Sequence, residues 1–146
     1  MKHFEISTII LFIAIAYVLI GCDEMRLKAT IAAENANCPI RIDNNIVMTQ
    51  IKQNDNYIEF VCDFEDGYRD KDGFMIRVAD LNNDNTLNKL KNVMMQEITN
   101  PNPANAEAYK EVIELCKSCE VGLSCRLIGS RTKDECVVKI DYWELP

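Results

Sequence analysis

The chain has 146 residues, enough for one domain with a single core, and its 23 acidic against 16 basic side chains give a formal net charge of −7. That balance excludes the basic patch through which a domain grips nucleic acid or anionic lipid. The single histidine is His3, so the remainder of the chain cannot assemble a Ser-His-Asp or Cys-His nucleophile and lacks the commonest ligand for transition metals.

From the N-terminus, Met1-Lys2-His3 is a short basic start, and Ile6 to Gly21 is an uncharged run rich in Ile, Leu, Ala and Phe. As a helix that run covers roughly 24 Å, against roughly 30 Å for a hydrocarbon core. These are the proportions of a signal-peptide core; an uncleaved N-terminal membrane helix is the alternative. The run closes on Leu19-Ile20-Gly21-Cys22, which resembles the lipobox of bacterial lipoproteins. The resemblance implies that Leu19, Ile20 and Gly21 are read by the lipoprotein signal peptidase and that residues 1–21 are removed. It further implies that Cys22 receives a diacylglycerol and anchors a single extracytoplasmic domain, 22–146, to the inner or outer membrane.

Met25 to Asn37, with Leu27, Ile31 and several alanines, predicts a weakly amphipathic helix ended by Cys38-Pro39. Ile46 to Ile51 and Tyr57 to Phe64 predict two strands; in the second, Ile58, Phe60, Cys62 and Phe64 share a face, and Gln53-Asn54-Asp55-Asn56 turns the hairpin. Phe74 to Val78 is a third strand candidate after the turn-rich stretch from Asp66 to Gly73. Helical spacing of Leu87, Leu90, Met94 and Ile98 predicts a helix over Thr86–Ile98, capped by Asp84 or Asn85. A second helix, from Ala104 to Cys119, aligns Tyr109, Val112, Ile113, Cys116 and Cys119.

The closing hairpin alternates Val121, Leu123, Cys125 and Leu127 on one strand with Cys136, Val138, Ile140 and Tyr142 on the other, about a turn at Gly129-Ser130-Arg131-Thr132. Trp143, the only tryptophan, falls on the face opposite Tyr142, either as packing against the sheet or as an exposed anchor, and packing is the usual fate of such a ring. Strands at both ends and helices between them predict an α+β fold, an antiparallel sheet of about four to five strands with helices packed on one face.

With Cys22 set aside, six cysteines remain, and an even number in an exported domain favours disulfides. In the predicted register Cys125 faces Cys136, a candidate pair; Cys38 and Cys62 are a second by elimination, with Cys116 and Cys119 buried or paired. Cys116-Lys117-Ser118-Cys119 is a C-x-x-C motif, but it closes a helix, where the dipole disfavours the thiolate that redox catalysis needs. A zinc site from Cys116, Cys119, Cys125 and Cys136 lacks a second C-x-x-C.

Asp80, Asn82, Asp84 and Asn88 resemble the first donors of an EF-hand or dockerin calcium loop, yet Asn85 stands for its glycine and Lys91 for its closing acid. A polar turn entering a capped helix is the alternative, and no metal or cofactor is expected.

The acids lie in polar stretches with no apolar sequence around them to raise one pKa, so no catalytic residue is assigned. The order of elements is similar to that of small uncharacterised lipoproteins of Bacteroidota. The expected function is a lipid-anchored, non-enzymatic domain that binds another envelope or secreted protein and no nucleic acid. An inhibitor or immunity protein that occludes a cationic extracytoplasmic hydrolase is the alternative.

Overall fold

The computed structural model describes residues 22–146, so Leu19, Ile20 and Gly21 lie outside the described residues. Helix α1, Asp23–Asn35, comes first, followed by β1, Ile40–Asp43. Strands β2, Ile46–Asn54, and β3, Tyr57–Phe64, form the expected hairpin, with Asp55 at φ 51° in its turn. Two-residue strands β4, Tyr68–Arg69, and β5, Met75–Ile76, precede α2, Asp84–Thr99, and α3, Ala106–Ser118. The chain closes with β6, Gly122–Gly129, and β7, Glu135–Ile140.

The main sheet has the order β1-β2-β3-β6-β7. The fold is α+β as expected, but the sheet is not antiparallel throughout. Strands β3 and β6 pair in parallel, Phe60 beside Cys125 and Cys62 beside Leu127. The connection between them runs through α2 and α3, and such a crossover delivers the returning strand in the same direction. Residue alternation describes only which face a side chain occupies, so it left this direction open. β1 also escaped the sequence: its four residues, Ile40 to Asp43, are too few to show a period. The expected third strand over Phe74–Val78 contracts to Met75–Ile76, and it pairs with Tyr68–Arg69 in a separate ribbon outside the main sheet.

Helices cover one face. Leu27 and Ile31 of α1, Leu90, Met94 and Ile98 of α2, and Tyr109, Val112 and Ile113 of α3 pack with Met48, Ile58, Phe60, Cys62, Leu123 and Ile140 into one core. At about 1.5 to 3 kcal/mol for each large apolar side chain removed from water, this layer is the chief source of stability. The N-cap of α2 is Asn83, not Asp84 or Asn85: its side chain accepts from Thr86 N at 3.0 Å.

The opposite face is mixed and partly buried: Glu59, Val61 and Ser124 are buried on it, while Arg126 is half-buried and Glu135 exposed. There Arg126 donates to both Glu59 and Glu135, and Asn54 donates to Glu59 at 2.8 Å. Burial opposes ionisation of Glu59, but the bonds from Arg126 and Asn54 and the guanidinium charge outweigh it and hold the carboxyl below its ordinary value.

Candidate functional site

The strand registers define two ends of the sheet. Asn54 pairs with Tyr57, Tyr57 with Gly122 and Leu123 with Ile140 at one end. Asp43 pairs with Ile46, Ile46 with Phe64, Phe64 with Gly129 and Ile128 with Glu135 at the other.

The second end is organised by Asp66, which is fully buried. Its carboxylate accepts from Arg131 N at 3.0 Å, Thr132 N at 3.2 Å, Val78 N at 3.5 Å and the Thr132 hydroxyl. Desolvation alone would raise its pKa; the Thr132 hydroxyl and the backbone donors reverse this and leave it below the ordinary carboxylate range. One side chain thereby ties the β6–β7 loop to the β4–β5 ribbon. Gly129 makes room for it, since a Cβ there would run into the Asp66 carboxylate and the Thr132 hydroxyl. In the sequence Asp66-Gly67 resembles an ordinary surface turn, and nothing local marks the acid as buried.

Beside this clamp opens a cleft of about 350 Å³. Ile46, Leu90 and Leu127 form its buried floor, and Phe64, Tyr68, Ile76 and Leu81 its half-buried walls. Asp43, Asn44 and Asn45, from the β1–β2 turn, supply a polar lip. The turn is held by Arg41, which donates to the Asn44 carbonyl at 3.0 Å, and by Glu65 N, which donates to the Asn45 carbonyl at 2.8 Å. The Asn44 and Asn45 side chains stay exposed. An apolar floor with a few convergent polar groups at its rim has the chemistry of a binding pocket. Phe74, between the two strands of the adjoining ribbon, is 70 % exposed. A second cleft, of about 420 Å³, lies between the C-terminal half of α2 and α3, near the other end of the sheet. The flexible side chains of Lys110, Glu114 and Lys117 edge it, which makes it the less defined surface.

Of the residues singled out in the sequence, Cys22 is exposed immediately before α1. All seven cysteines are free, so the expected Cys125–Cys136 and Cys38–Cys62 disulfides are corrected. The hairpin pairs Cys125 with Val138 and Cys136 with Leu127, two residues out of the expected register. The strand turns later than expected: β6 runs through Gly129 and β7 starts at Glu135. Cys62 and Cys125 instead share a thiol hydrogen bond across the parallel seam, which together with burial raises the Cys62 pKa.

The C-x-x-C motif does close a helix. Cys116 is fully buried and pushed up to about 12 by burial and then by Cys119, whose own thiol is raised by burial and by Asp23 and Glu24. Such shifts withdraw the thiolate from neutral pH. Asp80 and Asn82 fall in and just after a short 3-10 turn, and Asp84 opens α2; Asn83 bridges them by donating to the Asp80 carbonyl at 2.9 Å.

Sequence reasoning also passed over Glu34. It is 1 % exposed on α1, neither carboxyl oxygen has a hydrogen-bond partner, and burial pushes its pKa up to about 7. Its charged form in turn raises the half-buried Cys38, after burial itself.

No family model and no curated protein sequence matches the chain. Among solved structures it is similar to a candidate secreted protein of Pseudomonas aeruginosa, with a TM-score of 0.54 at 8% identity over 86% of this chain and 98% of that one. It also aligns with the pilotin of the type 2 secretion system of Vibrio vulnificus, with a TM-score of 0.46 at 12% identity over 80% of this chain and 86% of that one. At this identity the first likeness is one of fold.

Proposed function

We propose that the chain is a lipid-anchored cell-envelope protein, non-enzymatic, that uses the cleft beside Asp66 to hold another envelope or secreted protein. The observation that carries this reading is the separation of the two ends. Cys22 joins the domain where Asp23 accepts from the Ser118 hydroxyl, near the end that holds Gln53 and Val121. The cleft lies at the far end, past the length of β3 and β6. Eight residues of strand span roughly 26 Å, so an anchor on Cys22 leaves the cleft facing away from the bilayer. Its apolar walls suit an apolar side chain of the partner, and the Asp43 carboxylate with the Asn44 and Asn45 amides suits the polar groups beside it.

The test is photo-crosslinking in intact envelopes, with the reactive group at Tyr68 in one strain and at Gln53 in another. A discrete adduct from position 68, absent from position 53 and lost on Phe64→Asp, is the expected result. Adducts of equal strength from both positions would refute the assignment. A second reading, an inhibitor or immunity protein for a cationic hydrolase, draws on the net charge of −7. It predicts that the adduct partner is a basic hydrolase and that its capture weakens steeply with salt.

A further inference from the structure

Three large apolar side chains are strongly exposed among the described residues: Met25 at 61 %, Phe74 at 70 % and Trp143 at 69 %. Phe74 belongs to the ribbon beside the cleft, whereas the other two lie at the opposite end. Met25 is in the first turn of α1, three residues after Cys22. Trp143 follows β7 in a short 3-10 turn, and that turn is fixed to the same end: Asp141 accepts from the Tyr57 hydroxyl, and the Pro146 carbonyl accepts from Lys117 Nζ at 3.3 Å. Ser118, the next residue of α3, holds Asp23. The C-terminal end of α3 therefore lies between the start of α1 and the turn that carries Trp143.

No linker separates Cys22 from the folded domain. α1 begins at the next residue, and its first turn is tied to α3 through Asp23. An acyl chain on Cys22 would therefore bring this end of the domain onto the bilayer surface, with no slack to hold it away. Tryptophan is the side chain best suited to that layer, because its ring is apolar while its N–H can bond to water or headgroup oxygens. The nearby charges are of both signs with acids in excess: Asp23, Glu24, Glu120, Asp141 and Glu144, the last paired with Lys91, stand with Lys28 and Lys117. Such a surface suits zwitterionic headgroups.

We infer that the Cys22 end of the domain is a membrane-contact face, with Trp143 and Met25 seated in the headgroup layer of the bilayer on either side of α3; the inference rests on the lipid-anchored reading above. It gives the domain a fixed posture, with the cleft directed away from the membrane, where a flexible tether would let it tumble.

Trp143 is the only tryptophan in the chain, so intrinsic fluorescence reports this one site. The lipid-modified protein, purified from membranes, is reconstituted in phosphatidylcholine vesicles, and its emission is compared with that of the Cys22→Ser protein in solution. The expected result is a blue shift, with about twofold quenching by lipids brominated near the headgroup and less by lipids brominated at the chain end. In the Met25→Glu variant, checked for unchanged folding by circular dichroism, the quenching should fall. If the protein carries its lipid by mass and floats with the vesicles, yet Trp143 emits as in solution, the contact face is refuted while the anchor stands. Shielding of Trp143 only after envelope extract is added would likewise overturn the proposal, in favour of a protein partner at this end. A protein that carries no lipid and stays in solution overturns the anchored reading itself.

Discussion

The two ends of the sheet are built on opposite terms. At the cleft end a buried carboxylate, Asp66, meets four donors, and loops distant in sequence are locked to it. At the Cys22 end an exposed link, Ser118 to Asp23, stands beside a half-buried one, Tyr57 to Asp141, and two large apolar side chains face solvent; further along α1, in its last turn, a buried carboxyl, Glu34, has no hydrogen-bond partner. A buried acid stabilises a fold only when donors replace the water it loses. The contrast teaches that at the cleft end one buried carboxylate gathers its donors from loops distant in sequence, while at the Cys22 end separate side-chain bonds nearer the surface join α1, α3 and the C-terminal turn, and large apolar side chains are left exposed beside them.

Asp66→Ala should produce the largest effect. It removes a fully buried acceptor from three backbone N–H groups and the Thr132 hydroxyl, of which Val78 N is itself buried, and a loss of about 3 to 5 kcal/mol is expected in urea unfolding. A loss below about 1 kcal/mol would mean that water reaches these donors and that the clamp is not what orders this end. Gly129→Ala probes the same clamp from the other side. The added Cβ pushes on the carboxylate, so a cost of about 1 to 3 kcal/mol is expected, together with weaker crosslinking from the cleft.

Glu34 supplies the counterpart at α1. In the folded chain its carboxyl keeps its proton up to about pH 7, against an ordinary value of 4.5. Between those two values the folded state binds the proton more than the unfolded state does. Stability therefore declines as pH rises through that window and stays at the lower level above it, by up to about 3 kcal/mol. Glu34→Met should remove the decline: at pH 8 the variant is the more stable protein by about 2 kcal/mol, and near pH 4 the difference is small. Equal pH profiles for both proteins would show that the carboxyl is solvated after all. Trp143→Ala closes the series. With most of its indole in solvent, the ring should contribute within about 0.5 kcal/mol to folding in the absence of membrane. A larger loss would make it a packing residue.

Where the pattern was local, the sequence carried the fold. The alternation from Tyr57 to Phe64, the 3.6-residue spacing of Leu87, Leu90, Met94 and Ile98, and the stripe from Tyr109 to Cys116 all became elements at nearly the expected positions. The errors share a cause. The direction of β6, the offset between Cys125 and Cys136 and the detached ribbon at Met75–Ile76 each depend on which segment lies next to which. An alternating strand declares its faces but not its neighbour, and a hairpin shifted by two residues keeps the same faces, so the pattern cannot detect the shift.

The candidate site was the least legible part. Its lining comes from Asp43–Ile46, Phe64, Tyr68, Ile76, Leu81, Leu90 and Leu127, residues spread over more than half of the described chain and individually ordinary. Its clamp, Asp66, is indistinguishable in sequence from the acids of any turn. By itself the sequence determined the acidic balance, the absence of histidine beyond position 3, the alternation and helical periods that set the α+β class, and the Leu19-Ile20-Gly21-Cys22 resemblance. Tertiary structure alone decided that Asp66 is buried and satisfied while Glu34 is buried and unmatched, and that the cleft and Cys22 stand at opposite ends. Periodicity is written in neighbours along the chain, whereas burial and pairing belong to neighbours in space.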